Sequence, residues 1–215
     1  MNSDPLRKLL LAKVTDDLFF GVVVGIVSNN QDPDNMHRIK VKFPWLSSDH
    51  ESNWARVATP MAGNDRGLYF LPEVDDEVLV AFEHGHIDQP YIIGSLWNGK
   101  DQPTESNQDG QNNNRSLKSR SGHVIRFGDK DGQETIEIID KTGDNKIVVS
   151  SKDNSITIEA KADITIESAT GKLIMRAKNG IEMDSKAGVK INATSNMDLK
   201  ANAQVNVKGA MIKLN

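Results

Sequence analysis

Two histidines of the sequence have a spacing that could bind a metal ion. His84 and His86 are separated by one glycine, so their imidazoles could supply two of the four ligands that zinc requires. The chain has no cysteine, and no third histidine lies near this pair in sequence. We therefore interpret His84-Gly85-His86 as a turn between two strands, and we predict neither a metal site nor a cofactor.

Two further clusters could take part in hydrolysis. Glu73, Asp75, Asp76 and Glu77 could act as paired carboxylates, but they directly precede the apolar run VLVAF and are typical of a solvated turn. In Ser121-Gly122-His123 the hydroxyl and the imidazole are adjacent, without the glycine-flanked elbow that exposes a nucleophile. We predict no catalytic residue, and the chain is not expected to be an enzyme.

The composition divides the chain into two parts of different kinds. All prolines lie at or before Pro103, all histidines at or before His123, and all aromatic residues at or before Phe127. The longest apolar run near the start, residues 9–12, is too short to span a membrane, and no signal-peptide cleavage site follows it. We expect the chain to be made in the cytoplasm.

The first part predicts a small barrel after a short extension. Within residues 1–17, Asp4 is a candidate helix N-cap and Pro5 a first-turn residue, which predicts a helix over 5–14. Residues 18–98 contain five or six short β-runs, including GLYFLP, and Gly21 and Gly25 would allow a sharp bend in the first. This pattern favours a small antiparallel barrel, for which the OB-fold is a common solution, and periodicity alone does not separate it from other small barrels. Residues 99–122 are polar and are predicted to be a linker.

The second part, residues 123–215, contains a repeat of about eight residues. Each repeat has apolar residues at its first and third positions and a small residue at its fifth, with polar residues between them. The alternation is typical of a strand with one buried face. Single-chain solenoids use about 20 or more residues per coil, so eight are too few to enclose a core. Three back-and-forth ribbons that close a triangular prism would bury every apolar face.

The fold class predicted from these patterns is all-β, with an N-terminal OB-fold barrel followed by a C-terminal intertwined trimeric β-helix, or β-prism. The residues predicted to face the trimer core are the first, third and fifth positions of the repeats: Ile156, Ile158, Ala160, Ile164, Ile166, Ser168, Leu173, Met175, Ala177, Ile181, Met183, Ser185, Val189, Ile191, Ala193, Met197, Leu199, Ala201, Val205, Val207, Gly209, Ile212 and Leu214.

The segment from FPWLSS at 43 to LWNG at 99 resembles the OB domain of spike proteins of contractile injection machines. The resemblance rests on FPW, WARVATP, GLYFLP, DEVLVAF and QPYIIGSLWNG. The continuation NNNRSLKSRSGHVIRFGDKDGQETIEIID is similar to the segment by which such proteins enter their β-helix. The family includes the phage baseplate spike (baseplate assembly protein V and the T4-type central spike) and the VgrG spike of type VI secretion.

This resemblance implies a homotrimeric, membrane-piercing spike that is attached to a hub beneath the tail tube. Only about 17 residues precede the barrel, so we expect a separate hub protein. We also expect a PAAR-type tip protein at the other end, docked on Met211, Ile212, Leu214 and Asn215. The spike would be assembled into a baseplate, exposed or ejected on contraction, and would cross a target membrane transiently.

A second interpretation remains open, namely a nucleic-acid-binding OB protein with a trimerisation stalk. Such a protein needs a basic groove with stacking aromatics. Residues 1–100 carry 14 acidic against 9 basic residues, which argues against nucleic acid as a partner.

Overall fold

The computed structural model describes residues 18–46 and 50–213, and these residues form two units. The first unit, which extends to Ala162, contains all of the strands. The second, from Asp163 onward, consists of extended segments joined by bends. No α-helix occurs in the described ranges. The helix predicted over 5–14 lies outside them.

Five strands form a closed barrel in the order β1-β2-β3-β7-β6. They span Val22–Asn29, Arg38–Lys42, Ala55–Val57, Pro90–Ser95 and Glu77–Phe82, respectively. Neighbours are antiparallel except β3 and β7, which pair in parallel and close the barrel. This is the strand order of a five-stranded Greek-key OB barrel, so the predicted OB fold is confirmed.

The barrel core is made by alternate residues of its strands. In β6, for example, Val78, Val80 and Phe82 are buried while the residues between them are half-buried. The buried core consists of Val27, Ile39, Val41, Phe43, Ala55, Val78, Val80, Phe82 and Ile92. Gly25 is buried in β1, and a Cβ there would lie 3.1 Å from Val80 and 3.2 Å from Val41. The glycine therefore lets the strands approach closely.

One strand prediction in the barrel region is wrong. The run GLYFLP contributes only Gly67 to a strand, the end of β5 (Arg66–Gly67), which pairs with β4 (Ala62–Gly63). Leu68, Tyr69 and Phe70 are all exposed and lie outside strands. The apolar pattern is misleading here because a strand also requires a neighbouring strand that forms hydrogen bonds with its backbone.

The loop between β1 and β2 is organised around one carboxylate. Asp32 is 5% exposed and accepts hydrogen bonds from the backbone N–H groups of Asp34, Met36 and Arg38. The Arg38 guanidinium donates to both of its oxygens, at 2.9 and 2.6 Å. These bonds, above all those from Arg38, hold the pKa of Asp32 far below its usual value.

We expect Asp32 to contribute to the acid sensitivity of the barrel. Because its pKa is lowered in the folded state, its stabilisation is present above the unfolded pKa of about 3.9 and is lost as pH falls below that value. Asp32→Asn should lower the urea midpoint at pH 7, and the difference from the unmodified chain should shrink by pH 3. Tryptophan fluorescence would follow the transition. A difference that stays constant with pH would contradict this role.

A second sheet follows the barrel in the same unit. Its five antiparallel strands form a meander in chain order: β8 (Asn114–Lys118), β9 (Val124–Gly128), β10 (Thr135–Ile139), β11 (Lys146–Ser150) and β12 (Ser155–Glu159). Strand β8 lies inside the segment 99–122 that was interpreted as a linker. Four of its residues are polar, so its sequence lacks the apolar alternation of a strand, although backbone pairing with β9 needs no apolar side chain.

Candidate assembly surface of the C-terminal sheet and repeats

One face of the five-stranded sheet is apolar and open. The registers of the four strand pairs align two rows of side chains across it. One row is Leu117, Ile125, Ile138, Ile147 and Ile158, and the other is Arg115, Phe127, Ile136, Val149 and Ile156. The large apolar side chains of the two rows other than Val149 are 40% to 71% exposed. A contiguous apolar surface of this kind marks an interaction site.

The opposite face of the same sheet carries charged pairs beside three half-buried apolar side chains, Val124, Ile139 and Val148. Arg126 lies 3.4 Å from Glu137 on the neighbouring strand and 3.2 Å from Glu105 in the preceding segment. Lys146 of β11 pairs with Glu159 of β12 at 3.0 Å. Since side chains alternate between faces, the central strands carry exposed apolar residues on one face and half-buried charged and apolar residues on the other.

The repeats of the second unit are visible in the backbone. Two-residue bends occur at 178–179, 186–187, 194–195 and 202–203, so they recur every eight residues, with extended segments between them. Each of these bends directly follows the small fifth residue of its repeat, as at Ala193 and Ala201. The backbone therefore bends at the period that the sequence pattern predicts.

One small residue takes part in its own bend. The Ser185 hydroxyl donates a hydrogen bond to the carbonyl oxygen of Gly188 at 2.9 Å. The hydroxyl oxygen of Ser185 also accepts one from the N–H of Gly188 at 3.0 Å. A buried hydroxyl without a partner is costly, whereas one that is bonded locally can enter a core. This contact is consistent with a serine at an inward position.

The back-and-forth ribbon applies to only part of the predicted β-helix. Within β8–β12 consecutive strands do reverse and pair inside one chain. The described repeats from 163 to 213 form no strand pair with one another, and their large apolar side chains are all exposed. The intertwined β-helix predicted for these repeats therefore stays a prediction.

The predicted inward residues lie in several places. Ile156 and Ile158 lie on the open face of the sheet described above, and the half-buried Ala160 directly follows β12. Those from Ile164 to Ile212 lie in the repeats and are exposed, as is Met211. Leu214 and Asn215 are outside the described residues. The sequence pattern missed Leu117, Ile125, Phe127, Ile136, Ile138, Ile147 and Val149, because longer turns separate them and break the eight-residue period. The signal that could have found most of them is the pair of apolar residues at i and i+2.

The residues considered for chemistry do not form a catalytic or metal-binding arrangement. His84 and His86 are exposed around a turn of 3-10 helix, Glu83–Gly85. No group of three potential ligands is found within residues 18–46 and 50–213. Asp76 accepts a hydrogen bond from the N–H of Glu73, whose own carboxylate pairs with Arg120 at 3.0 Å, so this acidic cluster is a hydrogen-bonded turn.

Ser121 and His123 also have structural contacts. They lie in the turn between β8 and β9. Ser119 is hydrogen-bonded to the backbone N–H of His123, and the imidazole Nδ1 accepts a hydrogen bond from the N–H of Lys141.

Basic and aromatic side chains on the barrel surface bear on nucleic-acid binding, and Arg56 lies 4.7 Å from the centre of the Tyr91 ring. Arg38 and Lys40 lie 5.8 and 5.4 Å from the centre of the Trp54 ring. Both cations are already paired with carboxylates, Arg38 with Asp32 at 2.6 Å and Lys40 with Glu51 at 2.8 Å. Phosphate would have to displace these acids, so these two residues do not resemble an electrostatic groove for nucleic acid.

Within residues 18–46 and 50–213, no helix has the length and apolar character needed to cross a membrane.

These features define an OB barrel that is followed in the same chain by a β-sheet with an exposed apolar face and by an eight-residue repeat. Residues 23–97 match the family model of the type VI secretion system/phage-baseplate injector OB domain. This match, together with the relatives below, confirms the resemblance to the phage baseplate spike and VgrG-type spike family.

Several type VI secretion system spike proteins are similar to the chain. VgrG1a of Pseudomonas aeruginosa is 30% identical over 149 residues, which cover 63% of this chain and 23% of the relative. VgrG3 of Vibrio cholerae is 38% identical over 86 residues, covering 38% and 8%. VgrG1b of Pseudomonas aeruginosa is 32% identical over 131 residues, covering 54% and 17%. The chain thus matches less than a quarter of the length of these relatives.

Proposed function

We propose that the chain is a structural, non-enzymatic spike subunit of a contractile injection machine, such as a phage tail, a tailocin or a type VI-like apparatus, and that it acts as a homotrimer. The observation that carries this proposal is the uncovered apolar face of β8–β12, followed by repeats whose apolar side chains are exposed in the single chain. The injector OB domain at 23–97 and the spike relatives support the same role.

The mechanism of such a spike is mechanical. Three chains that pair through their repeats form a β-prism whose backbone hydrogen bonds run between chains, and such a prism resists bending. Contraction would drive it against a target membrane and concentrate force on a small area. Attachment to a separate hub protein, a PAAR-type tip protein and transient contact with the membrane belong to this proposal and rest on the family resemblance.

The proposed function can be tested in cells that make the machine. Contractile particles should contain the chain when they are purified and examined by mass spectrometry. Removing the chain should abolish contraction-dependent killing or injection, and supplying it again should restore this activity. Particles that act at full level without the chain would refute the role of spike.

A further inference from the structure

The repeats by themselves specify the alignment of three chains only weakly. From Leu173 to Gly209 the same classes of residue, apolar, apolar and small, recur every eight residues, whereas the repeat that begins at Ile164 has nine residues and the one that begins at Val205 has seven. If one chain slides by eight residues, the apolar positions from Leu173 to Leu199 still meet apolar positions. Mismatches arise only at the two ends, where Ile164 meets Lys172 and Val205 meets Lys213. Strand register is weakly specified when the pattern does not change on a slip.

The sheet β8–β12 lacks this ambiguity. Its strands are separated by turns of five, six, six and four residues, at 119–123, 129–134, 140–145 and 151–154. Phe127 is the single aromatic side chain in its two apolar rows, and Arg115 occupies one end of a row, where it pairs with Asp129. A slip of eight residues would bring strands opposite turns, so only one alignment of such sheets buries both rows.

The sheet is also formed within a single chain. All four of its strand pairs join neighbours in sequence, so its contacts are local and need no second copy. Local contacts form early in folding. The described repeats from 163 to 213, in contrast, have no strand partner inside their own chain.

We infer that the apolar face of β8–β12 is a registration surface, on which two further copies of the same chain dock and fix the alignment of the repeats. This inference rests on the proposed trimer. The face has no charged side chain except the paired Arg115, so it fits a face of its own kind. The sheet and the repeats belong to one chain, so both must be covered by the same number of copies. Docking raises the local concentration of the repeats, which then pair from this end.

The first test uses a deletion after which alignment from the two ends of the repeat region brings different pairs of residues together. One chain lacks residues 189–196, which form one whole repeat, and carries Ala177→Cys. It is refolded with a 15N-labelled full-length chain that carries either Ala177→Cys or Ser185→Cys. Alignment at β8–β12 brings 177 beside 177, whereas alignment from the C-terminal side brings 177 beside 185. The chain has no native cysteine, so each mixed disulfide has one origin.

We expect mixed 177–177 disulfides to exceed mixed 177–185 disulfides by at least about tenfold, as measured by mass spectrometry of the linked peptides. That ratio corresponds to ~1.4 kcal/mol of register preference. Mixed 177–185 disulfides in equal or greater amount would overturn the inference. A full-length chain that is monomeric would instead refute the proposed trimer, so the two failures are distinguishable.

The second test weakens the registration surface itself. Ile138→Asn with Ile147→Asn changes two paired neighbours on the apolar face, and Val148→Asn with Thr157→Asn changes two paired neighbours on the opposite face as the matched control. For each of these two double variants, full-length chains that carry Ala177→Cys are mixed with full-length chains that carry Ser185→Cys. In trimers of the apolar-face variant, 177–185 linkage should rise about tenfold, a loss of ~1.4 kcal/mol of preference. Trimers with unchanged linkage would overturn the inference.

Discussion

Ala193→Asp is expected to prevent or strongly weaken self-association of the chain, while Asn192→Asp leaves it intact. Both residues are exposed in the single chain and lie in the same repeat. In the proposed prism Ala193 faces the common axis and Asn192 faces solvent, because adjacent strand residues point to opposite sides. Three carboxylates near one axis lose hydration and repel one another, which costs several kcal/mol per trimer. A solvent-exposed charge changes stability by about 0.5 kcal/mol or less.

The two variants add the same charge one residue apart, so each controls for the other. Size-exclusion chromatography with light scattering would give the mass of each protein, and a thermal melt would give the stability of whatever assembles. Equal tolerance of the two substitutions would show that the small residues do not face a shared core. The three-chain prism would then have to be abandoned.

Ile39→Ala is expected to destabilise the barrel by about 2 to 5 kcal/mol, because truncation of a buried isoleucine loses apolar burial and leaves a cavity. Ile39 is completely buried in β2, among the core side chains of the closed barrel. Such a loss is a large fraction of the total stability of about 5 to 15 kcal/mol that is typical of a domain. Met36→Ala is the control, since Met36 lies nearby in sequence and is 60% exposed.

The barrel can be followed without interference from the rest of the chain. Trp45, Trp54 and Trp97 all precede the C-terminal sheet, so their fluorescence reports unfolding of the barrel region. Urea unfolding of both variants should show a much lower midpoint for Ile39→Ala than for Met36→Ala. Similar midpoints would mean that Ile39 does not contribute to a packed core.

The barrel could be predicted from the sequence because each strand has its own signal. In β6 the alternation of Val78, Val80 and Phe82 with half-buried residues indicates one buried face, and turn residues mark both of its ends. Gly25 was recognised as a point where the first strand could bend. The structure adds the physical reason, since Val41 and Val80 leave no room for a side chain there.

The misses have a common cause, which is that backbone pairing has a weak signature in side-chain patterns. Strand β8 is mostly polar, yet it pairs with β9 along its whole length. The run GLYFLP is apolar, yet Leu68 to Phe70 remain outside any strand. The eight-residue period of the sequence recurs in the bends of the backbone, whereas the pairing of the repeats in a trimeric β-prism stays a prediction.

The claim that three copies complete this structure is tested most directly by the mass of the full chain in solution. Light scattering at micromolar concentration should give about three times 23.7 kDa. The assembly should also dissociate slowly in denaturant, because strands paired between chains must separate together. A stable species of 23.7 kDa would contradict the account, since the apolar face of β8–β12 and the repeats would then remain uncovered in the native protein.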